Sequence, residues 1–169
     1  ALSDISTIES FSKLVFTLLA STIVNIGELV RVEHSATPEF YKSRMRLEAG
    51  IQFLELATGP DIRKLIKTKE VTKLAFLVQD SVLEVRRRFL HSLMNYWSTK
   101  SISNRFLPLI FMAAFERNRD LNHYVSTWIR SRAEVNERRA LADPKNNDPE
   151  LIAFELCLPS LIHIVVHYH

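Results

Sequence analysis

LAFLVQDSVLEVRRRFLHSLMNYW, residues 74–97, holds two apolar helical patterns joined by an acidic turn. Leu74, Ala75 and Val78 keep the spacing of one helix face before the turn, and Phe89, Leu90, Leu93 and Met94 keep it afterwards. Asp80 and Arg86 stand between them, two formal charges in an apolar setting. An isolated charge is costly to bury, so both residues need partners elsewhere in the chain. The stretch therefore reads as a helix hairpin that is one member of a larger packed set.

The neighbouring sequence contains a copy. MRLEAGIQFLELA (45–57) aligns on VRRRFLHSLMNYW (85–97), each with an apolar residue and Arg followed by small or apolar residues three, four, seven and eight positions after the Arg. Arg46 and Arg86 are 40 residues apart, and Ile129-Arg130 is a weaker third copy 44 residues further on. A period of about 40–47 residues with two helices per unit is that of HEAT repeats. The 74–93 stretch resembles the HEAT pattern itself: apolar helix, Asp at the turn, Val-Arg in the second helix. No segment of the chain shows sustained period-2 alternation, so an all-α chain with no β-sheet is expected, and the period and resemblance imply an α-solenoid of HEAT-type antiparallel helix pairs. Arg46, Asp80, Val85 and Arg86 are expected to stack the repeats. The charges would pair between neighbouring units as a ladder, fixing register more than adding stability.

Working outward, Glu9 to about Glu33 reads as a long helix with Phe11, Leu14, Val15, Leu18, Leu19, Thr22, Ile23, Ile26, Leu29 and Val30 inward. Thr37, Pro38 and Glu39 suit a cap, a first helical position and the helix dipole, opening a helix to about Ala57 that TGP (58–60) ends. A short helical piece covers Asp61–Lys67. Thr68 caps a helix to Gln79, and Ser81 with Glu84 has capping-box spacing for the helix that runs to Trp97. Pro108 sits in the first turn of a helix to about Glu116. Leu121 to about Ala142 is a long helix burying Leu121, Tyr124, Val125, Trp128 and Ile129. After the loop DPKNNDP (143–149) comes a last helix, which Pro159 interrupts or kinks. The expected organisation is one continuous section: repeats at about 1–60, 61–100 and 101–145, with 146–169 starting the next. Ile162–Tyr168 is still an apolar helical pattern, so a piece of a larger solenoid is expected, with exposed apolar surface at both ends.

Composition removes several function classes. The chain has 169 residues, 47% apolar and 24% charged, enough for an ordinary core. Gly27, Gly50 and Gly59 are scattered, against any glycine-rich phosphate loop. A net charge of +3 is only mildly basic, short of the dense stripe of a dedicated nucleic-acid binder. The single Cys157 leaves no internal disulfide and favours a reducing compartment; it reads as a small buried hydrophobe. The run Leu14–Ala20 is too short to span a membrane. His163 and His167 share a helix face and His169 follows, but Ile164 stands where a metalloprotease needs Glu, and no carboxylate completes a zinc site. Arg86 or Arg87 with His91 has the spacing of some all-α ribonucleases, without the polar residue they place after the Arg. Asp143 and Asp148 read as turn and cap residues. No catalytic residue, metal, cofactor or small-molecule substrate is expected.

The ordered blocks RLEAGIQFLELA (46–57), FLVQDSVLEVRRRFLHSL (76–93), RFLPLIFMAAFE (105–116), RSRAEVNERR (130–139) and LCLPSLIHIVVHYH (156–169) resemble one family of cohesin-associated regulators, precocious dissociation of sisters protein five. The resemblance covers residues 45–169, and the first 44 match as helical repeat alone. It implies a large nuclear, chromosome-associated HEAT scaffold without catalytic activity. Such a scaffold controls sister-chromatid cohesion, in mitosis and DNA repair. The implied partners are the kleisin subunit of cohesin, the wings-apart-like release factor and the cohesion acetyltransferase.

The candidate partner-binding residues are Arg87, Arg88, His91, Asn95 and Tyr96, pointing off the repeat interface on the second helix of a pair. Arg130, Arg132, Arg138 and Arg139 follow on the next long helix. Three readings compete: a solvated face, a groove for an acidic or amphipathic partner segment, and weak DNA contact through phosphates. Trp97 is expected in the core, whereas an exposed Tyr96 would serve as an anchor.

Overall fold

The computed structural model describes residues 2–25, 38–99, 101–143 and 153–167, with side chains from residue 10 to residue 166 within those ranges. The helices are α1 (Leu2–Val24), α2 (Glu39–Leu56), α3 (Pro60–Leu65), α4 (Thr68–Lys73), α5 (Ala75–Val78), α6 (Leu83–Ser98), α7 (Leu107–Met112), α8 (Arg119–Ala142) and α9 (Ala153–His167). Single 3-10 turns at Asn104–Phe106 and Ala113–Phe115 flank α7. No strand occurs among the described residues. The chain is an α-solenoid of HEAT-type antiparallel pairs. A first-helix layer of α1, α3–α5, α7 and α9 backs a second-helix layer of α2, α6 and α8, with α1 on α2, α5 under α6, α2 beside α6, and α7 against α9.

Several local expectations change in physically readable ways. The helix predicted from Thr68 to Gln79 is two short ones. The Leu74 N–H bonds back to Val71 O and the Leu77 N–H to Leu74 O, both at 3.0 Å. Those tight turns bend the chain while keeping Val71, Leu74, Ala75 and Val78 buried. The Ser81–Glu84 capping box does not form: Val82 stands at the cap of α6, and Asp80 Oδ1 accepts its N–H at 2.8 Å. Pro38 precedes the first turn of α2, and Thr37 lies outside the described residues. Pro159 does not interrupt α9; it lies within the helix, on an exposed position.

In α1 the inward face is Ser12, Phe16, Ala20, Thr22 and Ile23, with Val15 and Leu19 half-buried. Phe11, Leu14 and Leu18, expected inward, are exposed instead, because α1 carries two apolar stripes and α2 covers the other one. Ile26, Leu29 and Val30 lie outside the described residues. At the far end α9 exposes Leu156, Leu158, Ile162, Val165 and Val166.

The core runs continuously through Phe53, Leu54, Leu77, Phe89, Leu90, Leu93 and Phe106, all essentially without solvent contact. Gly50 lets α2 approach α6 and α5 closely: a Cβ there would collide with Leu77 Cδ1 and meet the Phe89 ring at 3.2 Å. Beyond α6 the packing is aromatic. Trp97 meets Trp128 edge-on with ring centroids 5.4 Å apart, and Phe154 of α9 meets both Trp97 at 6.0 Å and Phe111 at 5.5 Å. The Trp97 Nε1–H is buried there without an acceptor.

Two ion pairs, the first buried and the second partly so, cross between successive helix pairs. Arg46 of α2 grips Asp80 through both oxygens, Nε to Oδ2 at 2.7 Å and Nη2 to Oδ1 at 3.1 Å, with both side chains about 5% exposed. Its Nη2 also reaches Glu39 at 2.9 Å. Burial pushes the Arg46 pKa down, but Asp80 and Glu39 outweigh it and hold the guanidinium firmly charged. Arg86 of α6 repeats the grip on Glu116, Nε to Oε2 at 2.6 Å and Nη2 to Oε1 at 3.0 Å, while Nη1 donates to Asp80 O at 2.6 Å. Each acid also caps the turn that follows it, Asp80 from Val82 N and Glu116 from Asn118 N at 2.7 Å. Val85 lies buried beside Arg86. In the third pair the position of Arg86 is taken by Asn122, whose amide donates to Glu116 O at 3.4 Å. The third copy therefore begins at Leu121-Asn122 and not at Ile129-Arg130, and Arg130 is exposed.

These contacts set three expectations for urea unfolding. Gly50→Ala lowers stability by about 1–2 kcal/mol, overpacking exceeding the ~1 kcal/mol gain in helix propensity; an unchanged or raised midpoint contradicts that close approach. Asp80→Ala costs about 3 kcal/mol by leaving Arg46 buried beside Glu39 alone, and Arg46→Met with Asp80→Leu costs less. Burial raises the Glu116 pKa, but the Arg86 and Asn118 donors outweigh it and hold it below the ordinary 4.5. A depressed folded-state pKa gives stability that is present above the unfolded value and lost as pH falls through the folded one. The stability gap between wild type and Glu116→Gln is thus widest above pH 4.5 and narrows below it; a gap independent of pH contradicts the pairing.

Candidate partner-binding face

The exposed face of α6 is what the two rungs leave outward. With Val85, Phe89 and Leu93 turned in, Arg88, His91 and Asn95 follow one another at helical spacing as a solvent ridge, and Arg87 sits to its side. Tyr96 is half-buried against the core, and Trp97 is 5% exposed within it. Of the five candidates, four are therefore open to solvent and Tyr96 is partly withdrawn.

The two neighbouring arginines serve different clefts. On the α2 side a cleft of about 430 Å³ has a floor of Leu47, Val82 and Val85, the exposed Phe40 as a wall, and a rim of Arg44, Glu48, Glu84 and Arg88. Among the described residues neither Arg44 nor Arg88 has an ion-pair partner. On the α8 side a cleft of about 310 Å³ is lined by Arg87, His91, Asp120, Leu121 and Tyr124. There the His91 ring lies parallel to Tyr124, 9° from coplanar and 6.3 Å between centroids. Arg87 reaches Glu84 at 3.4 Å, both well exposed, a pair of little energetic weight.

Tyr124, expected on the buried face of α8, is 47% exposed and forms the wall of the second cleft. It falls off the inward stripe of Leu121 and Val125 because α8 meets α6 through large aromatic side chains. Phe40, Arg44 and Glu48 were not among the candidates. The 40-residue period could have found two of them, since Arg44 aligns with Glu84 and Glu48 with Arg88, the charges exchanged. The basic residues of α8 are partly engaged: Arg132 stands over the Trp128 ring at 5.7 Å, and Arg138 pairs with Glu134 at 3.6 Å. Arg130, Arg138 and Arg139 are exposed.

Arg86 is committed to Glu116 and His91 to Tyr124, so the ribonuclease spacing does not converge on a common point. Burial pushes the Cys157 thiol up to about 11, leaving it a weak nucleophile. Among the described residues no three His, Cys, Asp or Glu side chains cluster as metal ligands. The side chain of His167, and His169, Asp148 and the loop after Asp143, lie outside those residues. No described helix is long and apolar enough to cross a membrane.

The family model for the sister chromatid cohesion protein PDS5 matches residues 1–169. The sister chromatid cohesion protein PDS5 of Saccharomyces cerevisiae is 35% identical over 163 residues, 95% of this chain and 12% of that protein. The Schizosaccharomyces pombe protein of the same name is 26% identical over 151 residues, covering 89% of this chain and 12% of its own length. The human PDS5 homolog A is 26% identical over 161 residues, 89% of this chain and 11% of that protein. The chain thus spans about an eighth of the length of the curated relatives it matches. It belongs to the PDS5 family of sister chromatid cohesion proteins.

Proposed function

We propose that this chain is a section of a non-catalytic scaffold that regulates sister-chromatid cohesion in the nucleus, on chromosomes. Its second-helix face docks a helical segment of the cohesin kleisin subunit. The assembled scaffold recruits the wings-apart-like release factor or the cohesion acetyltransferase. Family membership supports the cohesion role. The observation that carries the docking reading is the cleft between α2 and α6, an apolar floor ringed by Arg44, Glu48, Glu84 and Arg88. Helix-in-groove recognition uses such an apolar floor for anchors and such a mixed rim for orientation. Stacked repeats at about 1–60, 61–100 and 101–145 are part of this proposal, with the exposed apolar faces of α1 and α9 covered by adjoining repeats.

The same rim argues against DNA contact as the main mode. Two carboxylates stand beside the two free arginines, and phosphate tracking needs cations alone.

The test is fluorescence anisotropy of a labelled kleisin N-terminal peptide with the full-length protein at two salt concentrations. Phe40→Ala and Arg88→Glu, both in the cleft between α2 and α6, are each expected to weaken binding by about tenfold, or about 1.4 kcal/mol, and Tyr96→Ala by less. If both variants bind like wild type, the face is not the docking site. If affinity collapses steeply with salt and ignores Phe40→Ala, the phosphate mode is correct.

A further inference from the structure

The opposite layer carries a second cleft, of about 440 Å³, with quite different chemistry. It opens where the loop between α3 and α4, the 3-10 turn at Asn104–Phe106 and α9 meet. No residue of α2, α6 or α8 lines it. Its walls present Lys64, Lys67 and Arg105, with the hydroxyl residues Thr68 and Ser160 beside them. Ile66, Val71 and Ile164 complete it, each no more than 3% exposed.

Among the described residues no carboxylate lines the cleft. Lys64 is partly answered by Asp61 at 3.3 Å, at a site where both are largely exposed, so that pair is easily exchanged. The Lys67 ammonium has no partner among the described residues. Arg105 donates Nη1 to Ile66 O at 3.2 Å. That bond holds the guanidinium at the rim, and its other donors remain available to an oxyanion. Glu70, the nearest acid in sequence, is turned to the Lys67 N–H at 2.8 Å and to Lys69 at 3.8 Å.

We propose that this cleft binds a phosphorylated peptide segment of a partner protein, a phosphoserine or phosphothreonine next to an apolar residue. The cations match a group carrying close to two negative charges, and a guanidinium with ammonium groups gives it charge-assisted hydrogen bonds. Three cations converging on one cleft of about 440 Å³ suit a single phosphate on a peptide, whereas nucleic acid presents a run of phosphates and needs a stripe of cations. The site is separate from the second-helix face, so it stands or falls independently of kleisin docking there.

The test uses full-length protein and immobilised peptide libraries with phosphoserine, or serine in its place, fixed beside leucine or isoleucine. A 20-base-pair DNA duplex is the competitor. The phosphorylated library is expected to retain the protein about tenfold better, and Lys67→Glu to abolish that preference. Lys64→Glu reduces it, and Arg88→Glu on the other face leaves it intact. Circular dichroism melts of the lysine variants unchanged from wild type exclude misfolding. Lys64 and Lys67 are exposed, so a loss of folding is not expected from either. Equal retention of both libraries overturns the proposal, as does a preference that survives Lys67→Glu. Complete displacement by the duplex with a steep salt dependence overturns it in favour of a nucleic-acid surface.

Discussion

The grip of Arg46 on Asp80 is the contact on which the rest of the arrangement hangs. It joins three pieces of backbone at once: α2 through the arginine, the turn through the carboxylate, and the start of α6 through the Val82 N–H. Apolar helix faces can slide past one another at small cost. A desolvated charge pair cannot, because its attraction offsets the desolvation only at one geometry. The same device recurs one unit later between Arg86 and Glu116, with a longer acid and a shifted spacing but the same bidentate fork and the same capped turn. Register is thereby specified twice.

At the third unit the device stops. Asn122 keeps the hydrogen bond to the turn carbonyl but has no charge to pass on. From there the chain is joined by aromatic edges, Trp97, Trp128, Phe111 and Phe154. The second-helix layer is therefore fixed differently on the two sides of α6. Toward α2, glycine and ion pair bring the backbones close. Toward α8, bulky rings hold them further apart and leave Tyr124 half in solvent. That asymmetry is why adjacent arginines, Arg87 and Arg88, open onto clefts of different character.

Much of this was legible in the chain, and the limits have physical causes. Asp80 and Arg86 stood out because charges within an apolar pattern need partners. Which partners they take is set by residues 30 to 34 positions away, and Glu116 is an ordinary acid until the fold surrounds it. The all-α architecture and the period followed from apolar spacing alone. The inward face of α1 did not, since both of its apolar stripes satisfy that spacing and only the placement of α2 decides between them. The break at Leu74 has no proline or glycine to announce it. The ridge of Arg88, His91 and Asn95 was readable from α6, but a cleft needs two walls, and the walls contributed by Phe40 and Tyr124 depend on how neighbouring helices are spaced.

The aromatic junction has an optical consequence. The chain contains two tryptophans, Trp97 and Trp128, and both lie at the meeting of α6, α8 and α9. One indole N–H is sealed from water without an acceptor, and the other donates to Ser98 Oγ at 3.3 Å. Tryptophan emission from this chain therefore samples a single place, the join made without a charged rung. With ring centroids 5.4 Å apart, the two transition dipoles couple. Near-ultraviolet dichroism and emission wavelength together form a built-in gauge of that join, read without any attached dye.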